Sequence, residues 1–347
     1  MTDTDIAISC EADLEAAVGA RPAGWNLKAI SFLDAHCEAM LGCSPLLVLG
    51  TVDGDGVPRT IAVGAADGPG TVVGRGRLGL PPLGLDGVDD GAPAGILALV
   101  PGYGETLRIN GTLRLGDEPG VDVQEAFLHC AKAIIRSKLW EAPAARDGVE
   151  PPTDPPVGWD ADAAAFLAGS PFVALASVDA DGHADVSPKG DPAGFVRLLD
   201  DGRLAIPDRP GNHRTDTMHN LLSRPALGLL ALVPGESTVL EVSGSTELTT
   251  DPAVLAPMAV NGKTPKAAIV IDVERADLRS EPGIDAAGLW DPSRRIEEGT
   301  LPRATRIWTD HVKLNEDPSP NAEAMRKMVN EPSLAQGIEH DYETNLY

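Results

Sequence analysis

The sequence predicts a mainly β fold with interspersed helices, laid out as two copies of one domain in tandem. Three observations carry this. Blocks recur in the same order: SPLLVLGTVDGDG (44–56) returns as SPFVALASVDADG (170–182), GILALVPG (95–102) as GLLALVPG (228–235), and LRING (107–111) as LEVSG (240–244). Ordered self-similarity of this kind is the signature of a repeated structural unit. Short Val, Leu, Ile and Ala runs are punctuated by DGDG, DADG and VPG, which is strand-and-turn chemistry. Finally, 347 residues exceed one ordinary domain and allow two, each long enough to bury a core.

The elements follow in order. Residues 1–27 form an N-terminal extension, and copy one spans 28–140. Periodicity and capping residues predict helices over 28–42 and 122–138. The Pro-rich acidic stretch EAPAARDGVEPPTDPPVG (141–158) reads as a linker. Copy two spans 159–290, with helices expected over 160–168, 215–223 and 252–260. Residues 291–347 form a charged tail, including RIWTDHVKLN (306–315), that has no counterpart in copy one.

Composition narrows the function. There are 28 Lys and Arg against 52 Asp and Glu, a net charge of −24. Such a field repels phosphate backbones and anionic headgroups, so neither nucleic acid nor a membrane surface is expected as a partner, and any anion site must be a local cationic pocket. The start of the chain lacks a basic segment followed by an apolar one, and the longest apolar run, ALGLLALV (226–233), is too short to cross a bilayer. Cys10, Cys37, Cys43 and Cys130 show no C-x-x-C spacing. A reduced, cytoplasmic protein acting on a small molecule is the expectation, with no metal site.

One motif is set aside. GRGRLG (74–79) satisfies G-x-G-x-x-G, but LPPLGLDG follows it, and Pro and Gly there prevent the helix a dinucleotide needs.

Copy two carries DVSPKGDPAGFV (185–196) and LAIPDRPGNHRTDTMHN (204–220). The second reads as a strand, a tight basic loop and a helix beginning near Arg214 and Thr215. Arg209, Asn212 and Arg214 beside a helix N-terminus offer a phosphate both backbone donors and guanidinium forks, and Ser187 and Lys189 add a hydroxyl and a point charge. Aligned at constant spacing, Arg209, Asn212 and Arg214 fall on Gly76, Gly79 and Pro81 of copy one. The end of each copy differs in the opposite sense. FLHCAKAIIRSKLW (127–140) matches ADLRSEPGIDAAGLW (276–290), so that Leu128, Ile134, Leu139 and Trp140 recur, whereas His129, Lys132, Arg136 and Lys138 become Arg279, Pro282, Ala286 and Gly288.

SVDADGHADVSPKGDPAGFV, AIPDRPGNHR and FLHCAKAIIRSKLW together resemble the pyridoxamine 5′-phosphate oxidase-like FMN-binding split-barrel family. The resemblance covers most of residues 30–290. It implies two FMN-binding split β-barrels in tandem, paired as an intramolecular pseudo-dimer with flavin at the interface. On that resemblance Ser187, Lys189, Arg209, Asn212 and Arg214 match the flavin-side motifs, and His129, Cys130, Lys132, Arg136 and Lys138 match the C-terminal helix motif. Neither copy holds both sets, so one composite site is expected, with the loop from copy two and the helix from copy one. The implied activity is that of an FMN-dependent oxidoreductase, with His129 as the catalytic candidate and Lys132 able to stabilise reduced flavin. The alternatives are a deazaflavin or heme in the same place, with His129, Cys130 and His213 as candidate axial ligands, or a degenerate scaffold without catalysis. Further pairing of two whole chains is left open.

Overall fold

Leu46, Leu47, Val48 and Leu49 are all fully buried because both faces of the strand they form are covered. Successive strand side chains point to opposite faces, so Leu47 and Leu49 enter the core of copy one while Leu46 and Val48 enter a core shared with copy two. The computed structural model describes residues 6–22, 24–141, 156, 158–211 and 214–347. Asn212, His213 and most of the expected linker lie outside them.

The chain begins with β1 (Ala7–Ile8) and α1 (Glu11–Val18), then α2 (Ala35–Gly42), β2 (Leu46–Val52), β3 (Pro58–Gly64), β4 (Thr71–Gly74), β5 (Arg77–Gly79), β6 (Pro93–Leu99), β7 (Thr106–Arg114), β8 (Gly120–His129) and α3 (Lys132–Ser137). After α4 (Ala161–Gly169) the pattern returns: β9 (Phe172–Val178), β10 (Ala184–Gly190), β11 (Arg197–Leu198), β12 (Leu204–Pro207), α5 (Asp216–Ser223), β13 (Ala226–Leu232), β14 (Thr238–Thr249), α6 (Pro252–Leu255), β15 (Ala268–Ser280) and α7 (Pro282–Ala287). Three helices complete it: α8 (Ala304–Leu314), α9 (Pro320–Met328) and α10 (Glu331–Thr344).

The two antiparallel sheets have one topology, β3-β2-β6-β7-β8-β5-β4 in the first and β10-β9-β13-β14-β15-β12-β11 in the second. Fine details repeat as well. The register shifts at Asn110/Gly111 in one sheet and at Ser243/Gly244 in the other. Ser44 Oγ donates to Leu46 O and Leu99 O, and Ser170 Oγ to Phe172 O and Leu232 O. Asp53 and Asp179 each accept backbone N–H groups two and four residues on, which makes both Asp-Gly stretches turns, as expected.

The sheets pack reciprocally. A Cβ added at Gly190 in β10 would lie 2.1 Å from Ala133 O in α3, and one at Gly64 in β3 would lie 1.9 Å from Gly283 O in α7. Each copy's C-terminal helix therefore rests on the other copy's strand, at a closeness only glycine permits. Trp140 and Trp290 meet with ring centroids 6.1 Å apart, and each indole N–H donates to a turn carbonyl of its own copy, Tyr103 O or Glu236 O.

Several expectations are corrected. Helix α2 starts at Ala35, where Asp34 caps it by accepting from Cys37 N, while Ile30 bridges to Ala126 as extended chain. Residues 122–129 belong to β8, because pairing with β7 overrides their helical propensity, and only Lys132–Ser137 is helical. In 252–260 the α-helix stops at Leu255 and a 3₁₀ turn follows through Pro257. The two ends of the chain also cross over. Strand β1 pairs with β14, and Leu14 and Val18 enter the copy-two core. Ile307 and Trp308 of α8 enter the copy-one core. No helix among the described residues is long and apolar enough to cross a membrane.

Candidate functional site

Helix α3, seated on β10, closes one side of a cavity of about 440 Å³ whose other walls come from copy two. His129, Lys132 and Arg136 reach it from copy one, and Ser187, Lys189, Arg209 and Arg214 from copy two. The cavity lining holds eight Lys and Arg side chains against two carboxylates, Asp208 and Asp216. In a chain of net charge −24 this is the cationic pocket that an anion requires.

Most of these cations are held by a partner. Arg209 Nε donates to Asp191 Oδ2 at 2.7 Å and its Nη2 to Met258 O at 2.8 Å. Lys189 Nζ stands 3.6 Å from Asp208. Ser187 Oγ donates to Asp185 Oδ2. Arg214, 4% exposed, donates to Asp216 at 2.7 Å and to Glu125 of copy one at 3.3 Å, and stacks 3.8 Å from the Phe127 ring and 4.7 Å from Trp25. It thus joins the copies as well as lining the cavity. Arg108, 1% exposed, completes this network through Asp185, with Asp216 3.6 Å away. Sequence reasoning passed over Arg108; its signal was a lone Arg in an otherwise apolar strand, LRING.

His129 is not helical. It ends β8, with Nδ1 3.3 Å from Arg108 Nη1. A guanidinium only donates, so Nδ1 accepts and the ring proton is assigned to Nε2. Burial and then the charges of Arg108, Lys28, Arg214 and Lys189 hold the imidazole well below its ordinary range, so it is neutral at pH 7. Lys132, 1% exposed, and Arg136, 8% exposed, point inward from α3, and Cys130 is buried beside them.

Two site expectations change. Lys138 is no cavity residue: it ends α3 in the left-handed region (φ 52°), is largely exposed, and pairs with Glu141 at 3.4 Å. Its counterpart Gly288 takes the same role at φ 57°. That position is a helix C-cap, where glycine is ordinary, and the Lys-to-Gly difference says nothing of chemistry. The alignment of Arg209, Asn212 and Arg214 with Gly76, Gly79 and Pro81 is also displaced. Leu78 faces Val121, and Leu204 faces Ile271. Since Val121 and Ile271 are counterparts, Gly76, Gly79 and Pro81 correspond to Gly202, Ala205 and Pro207. Copy two instead carries a longer connection to its next strand, which contains α5, and residues 80–92 of copy one form no helix. Asn212 and His213 lie outside the described residues.

Helix α5 faces the cavity with Thr215, Asp216, Thr217 and Met218. Its N-cap, Thr215, makes no side-chain cap. Thr217 Oγ1 is buried without a hydrogen-bond partner among the described residues. An uncapped helix start with an orphaned hydroxyl beside it suits an anionic oxygen ligand.

The corresponding crevice, between β3 and α7, is closed to an anion by charge. Buried Glu241 occupies the place of Arg108 and accepts from Arg59 at 2.9 Å, Arg279 at 2.8 Å and Thr60 N at 3.2 Å.

Comparison with known proteins finds a family match for one part of the chain. No match was found among curated proteins. Among solved structures, HupZ of Group A Streptococcus is 20% identical over 33% of this chain and 89% of that one, with a TM-score of 0.29. A pyridoxamine 5′-phosphate oxidase-related, FMN binding protein of Nostoc punctiforme is 14% identical over 36% and 84%, with a TM-score of 0.28. A heme binding protein of Mycobacterium smegmatis is 15% identical over 35% and 57%, with a TM-score of 0.21. Residues 160–280 match the family model described as pyridoxamine 5′-phosphate oxidase. Copy two, the half that carries β9 to β15 and the Arg209 loop, is a domain of that family.

Proposed function

We propose that the chain is a flavin-dependent oxidoreductase that binds one FMN in the crevice between its two copies, acting as an intramolecular pseudo-dimer. The observation that carries this reading is the cavity itself: a cation-lined space, built from the α3 side of copy one and the α5 side of copy two, with the family match on the half that supplies the loop. The residues present fit an anionic, aromatic cofactor. Lys189, Arg209, Thr217 and the uncapped N–H groups of α5 would hold the phosphate, and Lys132 and Arg136 would stand over the opposite side. When bound, FMN supplies two-electron redox chemistry.

The chain's own residues bind, orient and neutralise. Burial and then the Arg108 guanidinium hold His129 neutral, with its proton assigned to Nε2, able to donate one hydrogen bond to a substrate at that atom. Phe195, Met218 and Ala133 give the same space an apolar wall. Reconstitution with excess FMN followed by titration is expected to saturate near one equivalent per chain, with flavin bands in the visible spectrum. Two equivalents of equal affinity would sink the composite site, and a Soret band or a colourless protein would sink the flavin.

A further inference from the structure

The cations that α3 turns into the cavity are already engaged, and by the end of the tail. Lys132 Nζ pairs with Asp341 Oδ2 at 2.8 Å and donates to Asn345 O at 3.0 Å. Arg136 Nη1 donates to Leu346 O at 2.9 Å, and Lys263 Nζ to Tyr347 O at 2.7 Å. The Tyr347 ring lies 6.0 Å from the Arg136 guanidinium and 5.8 Å from that of Arg209, one from each copy. We propose that residues 345–347 are a built-in competitor for the anion-binding cations of this crevice, released when an anionic ligand enters.

The proposal rests on reading the crevice as an anion site, and three features support it. The segment 331–347 has four side-chain carboxylates and no Lys or Arg, so it is drawn to a strongly cationic region of an acidic protein. It divides into an anchor and a releasable end. Leu334, Ile338 and Tyr342 of α10 pack against the copy-one core, and Ala131 N donates to the Tyr342 hydroxyl at 2.9 Å. Asn345 and Leu346, beyond the helix, reach Lys132 and Arg136 through backbone carbonyls. A neutral carbonyl is a weaker acceptor for these cations than a phosphate, which adds a full opposite charge and can be bonded in a bidentate fork. Finally, the tail places an aromatic ring between guanidiniums and oxygens on lysines, the same two kinds of contact that an aromatic phosphate would make there.

A tail that must leave first multiplies the intrinsic affinity by the fraction of chains in which it is released, so one closed nine-tenths of the time weakens binding about tenfold. The test compares the full chain with one ending at Thr344, which keeps α10, Tyr342 and the Lys132–Asp341 pair. FMN binding is read by quenching of flavin fluorescence, and inorganic pyrophosphate binding by calorimetry. The shortened chain is expected to bind each about tenfold more tightly, and amide exchange in residues 345–347 of the full chain is expected to rise on adding ligand. Unchanged or weaker binding by the shortened chain, or tail exchange that falls with ligand, would overturn the competitor and make the tail a wall of the site. If FMN binds neither chain while pyrophosphate still prefers the shortened one, the flavin reading fails and the competitor stands. If pyrophosphate shows no preference either, both fall.

Discussion

The two crevices occupy corresponding places in the two copies, yet they are built with opposite charge. In the open one Arg108 of copy one meets Asp185 of copy two, and in the closed one Glu241 of copy two meets Arg59 of copy one. Arg108 and Glu241 stand at matching positions of β7 and β14, and Arg59 and Asp185 at matching positions of β3 and β10. The contact is thus kept with its sign reversed. Copy one against copy one would bring Arg108 to Arg59, and copy two against copy two would bring Glu241 to Asp185, both repulsive. The swapped pairs select the unlike pairing, much as complementary charges fix partners in other interfaces. They also decide where an anion can enter. One crevice gains an arginine with α3's two cations in front of it; the other gains a carboxylate that consumes two arginines.

The largest expected effect separates these pairs. Arg108→Ala leaves Asp185, 8% exposed, without its guanidinium in a nearly dry site, and breaking such a buried pair costs about 3–5 kcal/mol. Glu241→Ala leaves Arg59 and Arg279, 21% and 28% exposed, which water can hydrate, so its cost is expected at about 1–2 kcal/mol. Urea midpoints at constant slope measure both. Equal losses would mean that the two pairs are interchangeable, and the asymmetry of burial would then carry no energetic meaning.

How much of this was legible in the sequence follows from which interactions are local. The duplication was readable because apolar runs such as LLVL and VALA must recur wherever the same strand is buried on both faces. The turns were readable because Asp and Gly encode them within four residues. The inward cations of α3 and the Arg209 loop were readable as chemistry from residue type. What the sequence hid is set by pairing. Strand β8 reads as a helix until β7 lies beside it, and Lys138 reads as a cation until its left-handed φ shows a C-cap. The register of Gly76–Pro81 required the ladder to Gly120–Val121. Arg108 and Glu241 were hidden for the same reason, since each is explained only by a residue of the other copy. The tail's seat on Lys132 and Arg136 joins residues some two hundred positions apart and leaves no local trace.

A smaller effect tests whether α3 supplies binding and α7 does not. Arg136→Ala removes a cation that faces the cavity, and losing one charge-assisted hydrogen bond of roughly 1.5–3 kcal/mol weakens FMN about tenfold or more. Ala286→Arg restores the matching cation in α7, but copy one lacks the helix corresponding to α5, so the stoichiometry is expected to stay near one. A second equivalent bound by Ala286→Arg would show that the closed crevice lacks only charge.

The smallest expected effect is one of pH, and it uses the pair His129 and Arg279, which stand at matching positions of β8 and β15. Arg279 stays charged throughout the accessible range. His129 does not: burial and the neighbouring cations hold its folded pKa well below the ordinary value of about 6.5. With a depressed folded pKa, the unfolded chain binds the proton first. Stability is therefore full above about pH 6.5 and falls as the pH drops below it, until the folded imidazole itself protonates. His129→Gln keeps a polar side chain that can accept from Arg108 and removes the titration. Denaturation midpoints between about pH 7.5 and 5.5 are expected to fall more for the parent chain than for His129→Gln, the difference isolating His129 from the carboxylates common to both. Parallel slopes would mean that the imidazole takes up its proton in the fold as readily as in water. The cationic crevice would then not be the source of its neutrality, and the electrostatic contrast between the two crevices would lose its most direct reporter.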